Sequence, residues 1–214
     1  MQQSKKTLLK AAIAVFLGII SFMPSFSLAD SEIAGSISKL KGQLSLENSG
    51  GIGQMNAGNI VRMQDYLHTG DDTRADILFL DSSLMTLGDN ATVQIDKMIY
   101  DPQNNDSGGI IDLIAGTFHM ISGKISKTNN DFTINTPVAT IGIRGTDFIV
   151  IQKGDNLSVL LLDNGTINIS NAQGNATLNQ AGQGIDIKGK DAPIGPIKMW
   201  GQARKDAAIA AVSW

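Results

Sequence analysis

Short runs of alternating polar and apolar residues dominate this chain from Ser31 to about Lys190. The segment "RADILFL", from Arg74 to Leu80, alternates along its whole length, which is the two-residue period of a β-strand. Gly, Asn and Asp interrupt these runs at short intervals, and all three residues favour turns. The sequence therefore predicts an all-β fold over residues 30–190.

Two arrangements of these strands are compatible with the pattern. Turn signals recur in similar surroundings near Gly70, Gly88, Gly116 and Gly165, which favours short strands stacked in a solenoid-like fold that buries Ile, Leu and Val. No fixed period and no strong internal repeat is visible. We therefore predict solenoid-like stacking and keep a β-sandwich built from hairpins as the alternative.

The N-terminus has the composition of an export signal. Three lysines precede the apolar run "AAIAVFLGIISFM", which ends before Pro24 and is short for a membrane span. Ser27 and Ala29 are the small residues that a signal peptidase site requires. We predict a signal peptide over residues 1–29 and a periplasmic mature chain without a stable membrane span. A secreted or cell-surface location and an uncleaved anchor are the alternatives.

Charge and cysteine content exclude several classes of function. Removing residues 1–29 removes three lysines and no acids, so the formal net charge changes from −3 to −6. An acidic exported chain binds nucleic acid poorly. The sequence contains no cysteine, which excludes disulfides, thiolate metal sites and thiol catalysis.

Catalytic and metal-binding patterns are missing from the sequence. His68 and His119 are far apart, and no HExxH, GxSxG or P-loop motif occurs. His119 lies in the alternating segment "GTFHMI", where an outward-facing or hydrogen-bonded histidine is expected. We predict that the chain is not an enzyme and that it has no catalytic, cofactor-binding or metal site.

Residues 191–214 differ from the rest of the chain. "DAPIGPIK" has the composition of a Pro/Gly linker, and the alanine-rich "MWGQARKDAAIAAVSW" predicts a short helix. A loose apolar stripe on this helix would contain Met199, Ala203, Ile209 and Val212. We interpret the helix as a cap on the open end of the β stack. A docking element for a partner is the alternative, which the two tryptophans, the only ones in the chain, slightly favour.

Four segments together resemble the FecR domain, over roughly residues 60 to 170. They are "LHTGDDTRADILFLDSSLMTLGDNATVQI", "IDLIAGTFHM", "FTINTPVATIGIRGTDFIV" and "VLLLDNGTINI". The most specific element, "TPVATIGIRGTDF", matches the family pattern TP-x-A-x-x-GIRGT-x-F. At one strand turn the family usually has Asp-Gly-Ser, whereas this chain has Asp81, Ser82 and Ser83, and so lacks the residue best suited to positive φ.

The resemblance implies a class of function. In the regulators of this family, a cytoplasmic anti-sigma segment and one membrane span precede a periplasmic FecR domain. Only about nine residues precede the apolar run here, so we expect a free-standing exported FecR-domain protein without the transcription role. Its expected role is a binding or signalling module that contacts another envelope or outer-membrane protein. A structural or adhesive scaffold at the cell surface is the alternative.

The segment "TPVATIGIRGTDFIV", from Thr136 to Val150, places an arginine between two glycines. Glycine permits unusual φ or close backbone approach, which predicts a strand, a tight bend and a second strand. We interpret the arginine as a buried pin that ties backbone carbonyls and a carboxylate, such as Asp147 or Asp131, into one network. The alternative is a hook for a carboxylate on a ligand or partner. The candidate structural or partner-binding residues are Arg144, Gly142, Gly145, Thr146, Asp147, Trp200 and Trp214.

Overall fold

The computed structural model describes residues 32–101, 103, 106–124 and 132–214. The predicted signal peptide and Asp131 lie outside these described residues. The described chain forms 17 β-strands followed by one α-helix. No helix among these residues is long and apolar enough to cross a membrane.

The elements follow one another closely along the chain. They are β1 (Ile33–Lys41), β2 (Leu44–Asn48), β3 (Gly51–Met55), β4 (Ile60–Arg62), β5 (Tyr66–Thr69), β6 (Arg74–Phe79), β7 (Leu84–Leu87), β8 (Thr92–Asp101), β9 (Asp106–Ile121), β10 (Phe132–Asn135), β11 (Thr140–Arg144), β12 (Asp147–Lys153), β13 (Asn156–Leu161), β14 (Thr166–Asn171), β15 (Gly174–Leu178), β16 (Gln183–Lys188), β17 (Lys198–Met199) and α1 (Gln202–Ala210).

The strands form two layers that share one strand. Sheet A has the order β4-β1-β6-β7-β9-β12-β13-β16-β17. Sheet B has the order β3-β2-β5-β8-β9-β10-β11-β14-β15. The pairs are antiparallel except for β9 with β10. Hairpins that follow one another along the chain are therefore distributed over both layers, and both layers grow together.

The shared strand, β9, changes sheets at Gly116. Up to Ala115 it pairs with β8 of sheet B, and from Gly116 to Ile121 it pairs with β12 of sheet A. Gly116 has a φ of 104°, and a Cβ at this position would lie 2.5 Å from the Cα of Ala91. Both the conformation and the close approach require glycine, so this residue fixes the corner between the layers.

The main hydrophobic core lies between the two sheets. Phe118 and Phe148 of sheet A and Phe132 of sheet B belong to one buried cluster, and burying a side chain of this size contributes roughly 1.5–3 kcal/mol. The predicted all-β fold of short stacked strands with a C-terminal helix is confirmed. The hairpins stack in solenoid fashion, while the two layers face each other across the core as in a sandwich.

The C-terminal helix does not cap the end of the stack. Linker residues Ala192 and Ile194 pack against the main core instead. The helix lies on the outer face of sheet A, where Trp200, Ala208 and Val212 form a second buried cluster with side chains of β12 and β13. We call residues 198–214 the C-terminal strap.

The predicted apolar stripe on the helix is largely wrong. Val212 is buried, but Met199, Ala203 and Ile209 are exposed. The sequence pattern did not show that sheet A would offer an apolar outer surface. This surface consists mainly of Ile149 in β12 and Leu160 in β13, which lie in continuous apolar runs that are buried on both faces.

The two tryptophans of the strap should contribute unequally to stability. Trp200 is 6% exposed and Trp214 is 48% exposed. We expect Trp200→Ala to lower the free energy of unfolding by about 3 kcal/mol, as for other buried aromatic truncations. Trp214→Ala, the matched control, should cost about 1 kcal/mol. Urea unfolding followed by circular dichroism measures both, and equal costs would contradict this view of the strap.

Candidate functional site

The motif "GIRGT" forms the crossing from one sheet to the other. Strand β11 of sheet B ends at Arg144, and β12 of sheet A begins at Asp147. Gly145 between them has a φ of 58°, a left-handed conformation that glycine adopts at low cost. The strand, bend and strand predicted from the sequence are present.

Hydrogen bonds to Ser122 hold this bend in place. The backbone N–H of Thr146 donates to Ser122 Oγ at 2.7 Å, and the N–H of Ser122 donates to the Thr146 carbonyl at 2.9 Å. Gly165 packs so closely on the bend that a Cβ there would contact the Gly145 carbonyl oxygen and the Thr146 side chain. The backbone on either side of Arg144 is therefore fixed.

The turn between β6 and β7 joins the same network. Asp81 and Ser83 are fully buried. Ser83 donates its N–H to Asp81 Oδ1 at 2.9 Å and its hydroxyl to Oδ2 at 2.8 Å. Ser83 Oγ in turn accepts the N–H of Gly123 at 2.7 Å. These donors compensate for burying the carboxylate, and residues 122–123 connect the two motifs that carry the family resemblance.

Sequence reasoning identified both motifs but not their adjacency. Ser122 lies in "HMISGK", where nothing marks it as a linking residue. Ser82, which stands where the family usually has glycine, has a φ of 69°. The left-handed conformation at this turn is thus retained without the residue best suited to it.

Ser82→Gly should stabilise the protein. A non-glycine residue in the left-handed region costs roughly 1–2 kcal/mol, and glycine avoids this cost. Roughly half of the resulting gain in stability is lost again, because glycine has a larger conformational entropy in the unfolded chain. We expect the free energy of unfolding to rise by about 0.5–1 kcal/mol. Ser170→Gly, on an exposed position within β14, is the control and should be destabilising. Chemical denaturation compares the two, and a Ser82→Gly protein no more stable than the parent would contradict the prediction.

The buried-pin interpretation of Arg144 is wrong. Its side chain is exposed, and within the described part of the chain it has no hydrogen-bond or ion-pair partner. Ile141 and Ile143 of β11 are buried in the core, so the two-residue period places Arg144 on the outer face of sheet B. Gly142 shares that face. Its φ is not positive, and a Cβ there would meet only the Asn168 carbonyl oxygen, at 4.0 Å.

Asp147 pairs with His119 and not with Arg144. His119 Nε2 lies 2.7 Å from Asp147 Oδ1, which confirms the hydrogen-bonded histidine expected in this strand. The two residues belong to neighbouring strands of sheet A, where His119 is opposite Ile149. They therefore lie on the opposite outer face of the molecule from Arg144.

One end of the strap is anchored at β16. The indole of Trp200 occupies the space where a side chain at Gly184 would stand. The guanidinium of Arg204 lies 3.4 Å from the centroid of the Trp200 ring and donates to Asp186 Oδ2 at 2.9 Å and Oδ1 at 2.5 Å. The hydrogen bond from Arg204, assisted by one from Ser158, holds the pKa of the Asp186 carboxyl below its usual range.

The other end of the strap reaches β6 and β1. Trp214 Nε1 donates to Asp76 Oδ1 at 3.3 Å, and the same oxygen accepts the hydroxyl of Thr86 at 2.6 Å. The ammonium of Lys39 lies 3.8 Å from the centroid of the Trp214 ring. The strap thus crosses sheet A along one row of cross-strand neighbours, which are Lys39, Asp76, Thr86, His119, Ile149, Leu160 and Gly184.

Acid should loosen the strap at its Asp186 anchor. The pKa of Asp186 is lower in the folded chain than in the unfolded chain, so its stabilising contribution is present above about pH 4 and is lost as the pH falls through the folded-state pKa. Both tryptophans lie in the strap, so their fluorescence between about pH 5 and 2 reports its docking. In Asp186→Asn this part of the acid transition should disappear. Superimposable acid transitions in parent and variant would contradict the assignment.

The candidate residues therefore fall into two groups. Arg144 and Gly142 face outward from sheet B, whereas Asp147 and the two tryptophans lie on the outer face of sheet A. Gly145 and Thr146 form the crossing between the sheets, where Thr146 is buried. Among the described residues, no cluster of three His, Asp or Glu side chains could hold a metal ion.

Comparison with known proteins identifies the central part of the chain. Residues 65–167 match the family model described as FecR protein. The chain contains a FecR domain. This match covers both the Asp81–Ser83 turn and the bend at Gly145, so the hydrogen-bond network of the two motifs is internal to the FecR domain. No curated protein matches the sequence.

Solved structures share the fold. Two crystal structures of a proposed anti-sigma factor from Parabacteroides distasonis, at 1.65 and 2.50 Å resolution, align with a TM-score of 0.53 and 12% sequence identity. Each alignment covers 67% of this chain and 64% or 63% of that protein. The FecR-domain chain thus spans less than two thirds of the length of these neighbours, and the likeness establishes the fold.

Proposed function

We propose that this FecR-domain protein is a non-enzymatic periplasmic module that binds another envelope protein, in a binding or signalling role. The observation that carries the proposal is the exposed Arg144, at the centre of the most specific family motif and without a partner in the described chain. The buried, hydrogen-bonded bend keeps this arginine at the surface, where its side chain makes little contribution to the stability of the fold. Its five donors are available to a partner.

The surroundings of Arg144 suit a carboxylate-bearing partner. The side chain stands at the end of β11, and the backbone beneath it is fixed by Ser122 and Thr146, which limits the entropy lost on binding. Gly142, two residues away on the same face, has no side chain, and its cross-strand neighbours Thr133 and Asn168 flank it on that face. The planar fork of Arg144 permits bidentate contact with a carboxylate.

The family and the fold support the regulatory part of the proposal. The solved neighbours are proposed anti-sigma factors, which are signalling proteins that act by contacting other proteins. The periplasmic location is supported by the lysine-flanked apolar run and by Ser27 and Ala29 before the expected cleavage point. A structural or adhesive scaffold would instead bind bulk envelope material without a defined stoichiometry.

Substitution of Arg144 should remove binding while leaving the fold intact. We expect Arg144→Ala to unfold in urea within about 0.5 kcal/mol of the parent and to bind its envelope partner at least about tenfold more weakly. Arg144→Lys should recover only part of the affinity, since an ammonium lacks the planar fork. The partner is identified by crosslinking in envelope extracts, and affinities are then measured by calorimetry.

Lys153→Ala is the matched control, because Lys153 is an exposed cation at the far end of β12. It should bind as the parent does. Partner binding that survives Arg144→Ala unchanged would refute the proposal. A loss of several kcal/mol of stability in Arg144→Ala would show instead that the arginine is structural.

A further inference from the structure

In the described part of the chain, the edge of sheet B at β3 has no further strand beside it. Within the described residues, β3 pairs only with β2. Its residues from Gly51 to Gln54 are exposed, and a Cβ at Gly51 or Gly53 would meet nothing within 4 Å. An antiparallel edge strand directs alternate N–H and C=O groups outward, so β3 offers unpaired backbone groups to another strand.

The strand also lacks the features that normally protect an edge. Charged residues, proline, short length or a covering segment prevent edge-to-edge pairing in most proteins. "GIGQM" has five residues, no charge and no proline. Ile52, on the outer face of the sheet, is 77% exposed, the highest exposure among the large hydrophobic residues of the described chain.

The other three edges differ from β3. In sheet A, β4 has three residues and ends at Arg62, and β17 has two residues and begins at Lys198. In sheet B, β15 is uncharged, but it presents the polar residues Asn175 and Thr177 on the outer face. Ile60 of β4 and Met199 of β17 are also exposed apolar side chains, but each stands in a strand of at most three residues that contains a cation. Among the four edges of the described chain, β3 combines an exposed apolar side chain with a longer strand that carries no charge.

We propose that β3 is a dimerisation edge at which two copies of this chain pair their β3 strands antiparallel, with Ile52 opposite Ile52. A two-fold axis at this residue makes the contact self-complementary and closed. It places Gly51 of each copy opposite Gly53 of the other, where no side chains compete for space. Each exposed Ile52 is then covered by its counterpart, as in stabilising cross-strand pairs.

Electrostatics does not oppose this pairing. The nearest acid on the outer face is Glu47, which lies opposite Ile52 on β2. In the dimer the two Glu47 side chains are separated by three strand spacings, about 14 Å, which exceeds the Debye length of about 8 Å at physiological salt. Because the paired segment is only five residues long, we expect a weak dimer with a Kd of about 10–100 µM.

The absence of native cysteine permits a direct test of the register. In Ile52→Cys the two Cα atoms across the axis are about 4.5–5.5 Å apart, within disulfide range. In Gln54→Cys, the control on the same strand, they are separated by about four residues along the strand, or about 14 Å. Mild oxidation of the purified proteins should give a crosslinked dimer at least about tenfold faster for Ile52→Cys than for Gln54→Cys.

Sedimentation equilibrium supplies the second measurement. The parent should dimerise reversibly up to about 500 µM, and Ile52→Lys should raise the dimer Kd at least about tenfold while circular dichroism stays unchanged. Thr177→Lys, the equivalent change on the β15 edge, should leave the dimer Kd unaltered. A parent that is monomeric throughout this range, equal crosslinking of the two cysteine variants, or a dimer lost only in Thr177→Lys would each overturn the proposal.

Discussion

The architecture depends on the corner at Gly116, where one strand passes from sheet B to sheet A. Each layer contains nine strands, and β9 belongs to both. The relative placement of the two layers is therefore set where this strand turns. The turn combines a left-handed φ with a backbone approach to Ala91 that excludes any Cβ. The hairpins on either side of β9 extend both layers. The phenylalanine side chains of the core fill the space between the two layers.

A second connection between secondary elements lies in the buried network of Asp81, Ser83, Ser122 and Thr146. A buried carboxylate is tolerated only when donors surround it, and here the backbone N–H and the hydroxyl of Ser83, in the same turn, donate to Asp81. The N–H of Gly123 then donates to Ser83 Oγ and joins this turn to residues 122–123. The network therefore fixes the bend at Gly145 from the inside. As a consequence, the exposed Arg144 stands on a fixed backbone. The buried residues of the family motif are therefore structural, and its exposed arginine is available for binding.

The sequence was informative where residue patterns act locally. Alternation predicted the strands, and the family pattern located the turn at Asp81–Ser83, where Ser82 has a left-handed φ although it is not glycine. The alternation in "TIGIR" already placed Arg144 on the face opposite Ile143, but the flanking glycines suggested burial. The layer to which each hairpin belongs depends on contacts distant in sequence, such as Gly116 with Ala91. For the same reason, the position of the strap could not be read from its own residues, because it depends on the outer faces of β12 and β13.

The two outer faces of the molecule now have different chemical characters. The strap covers the row of sheet A that runs from Lys39 to Gly184, whereas the outer face of sheet B carries both Arg144 and Ile52. Strands β3 and β11 are the first and seventh of nine in that sheet. A dimer paired through β3 would thus display two Arg144 side chains on one continuous sheet, about 13 strand spacings or about 60 Å apart. Such spacing would favour a partner that presents repeated binding sites, because a weak contact made twice gains affinity through effective concentration without any additional interaction at either site.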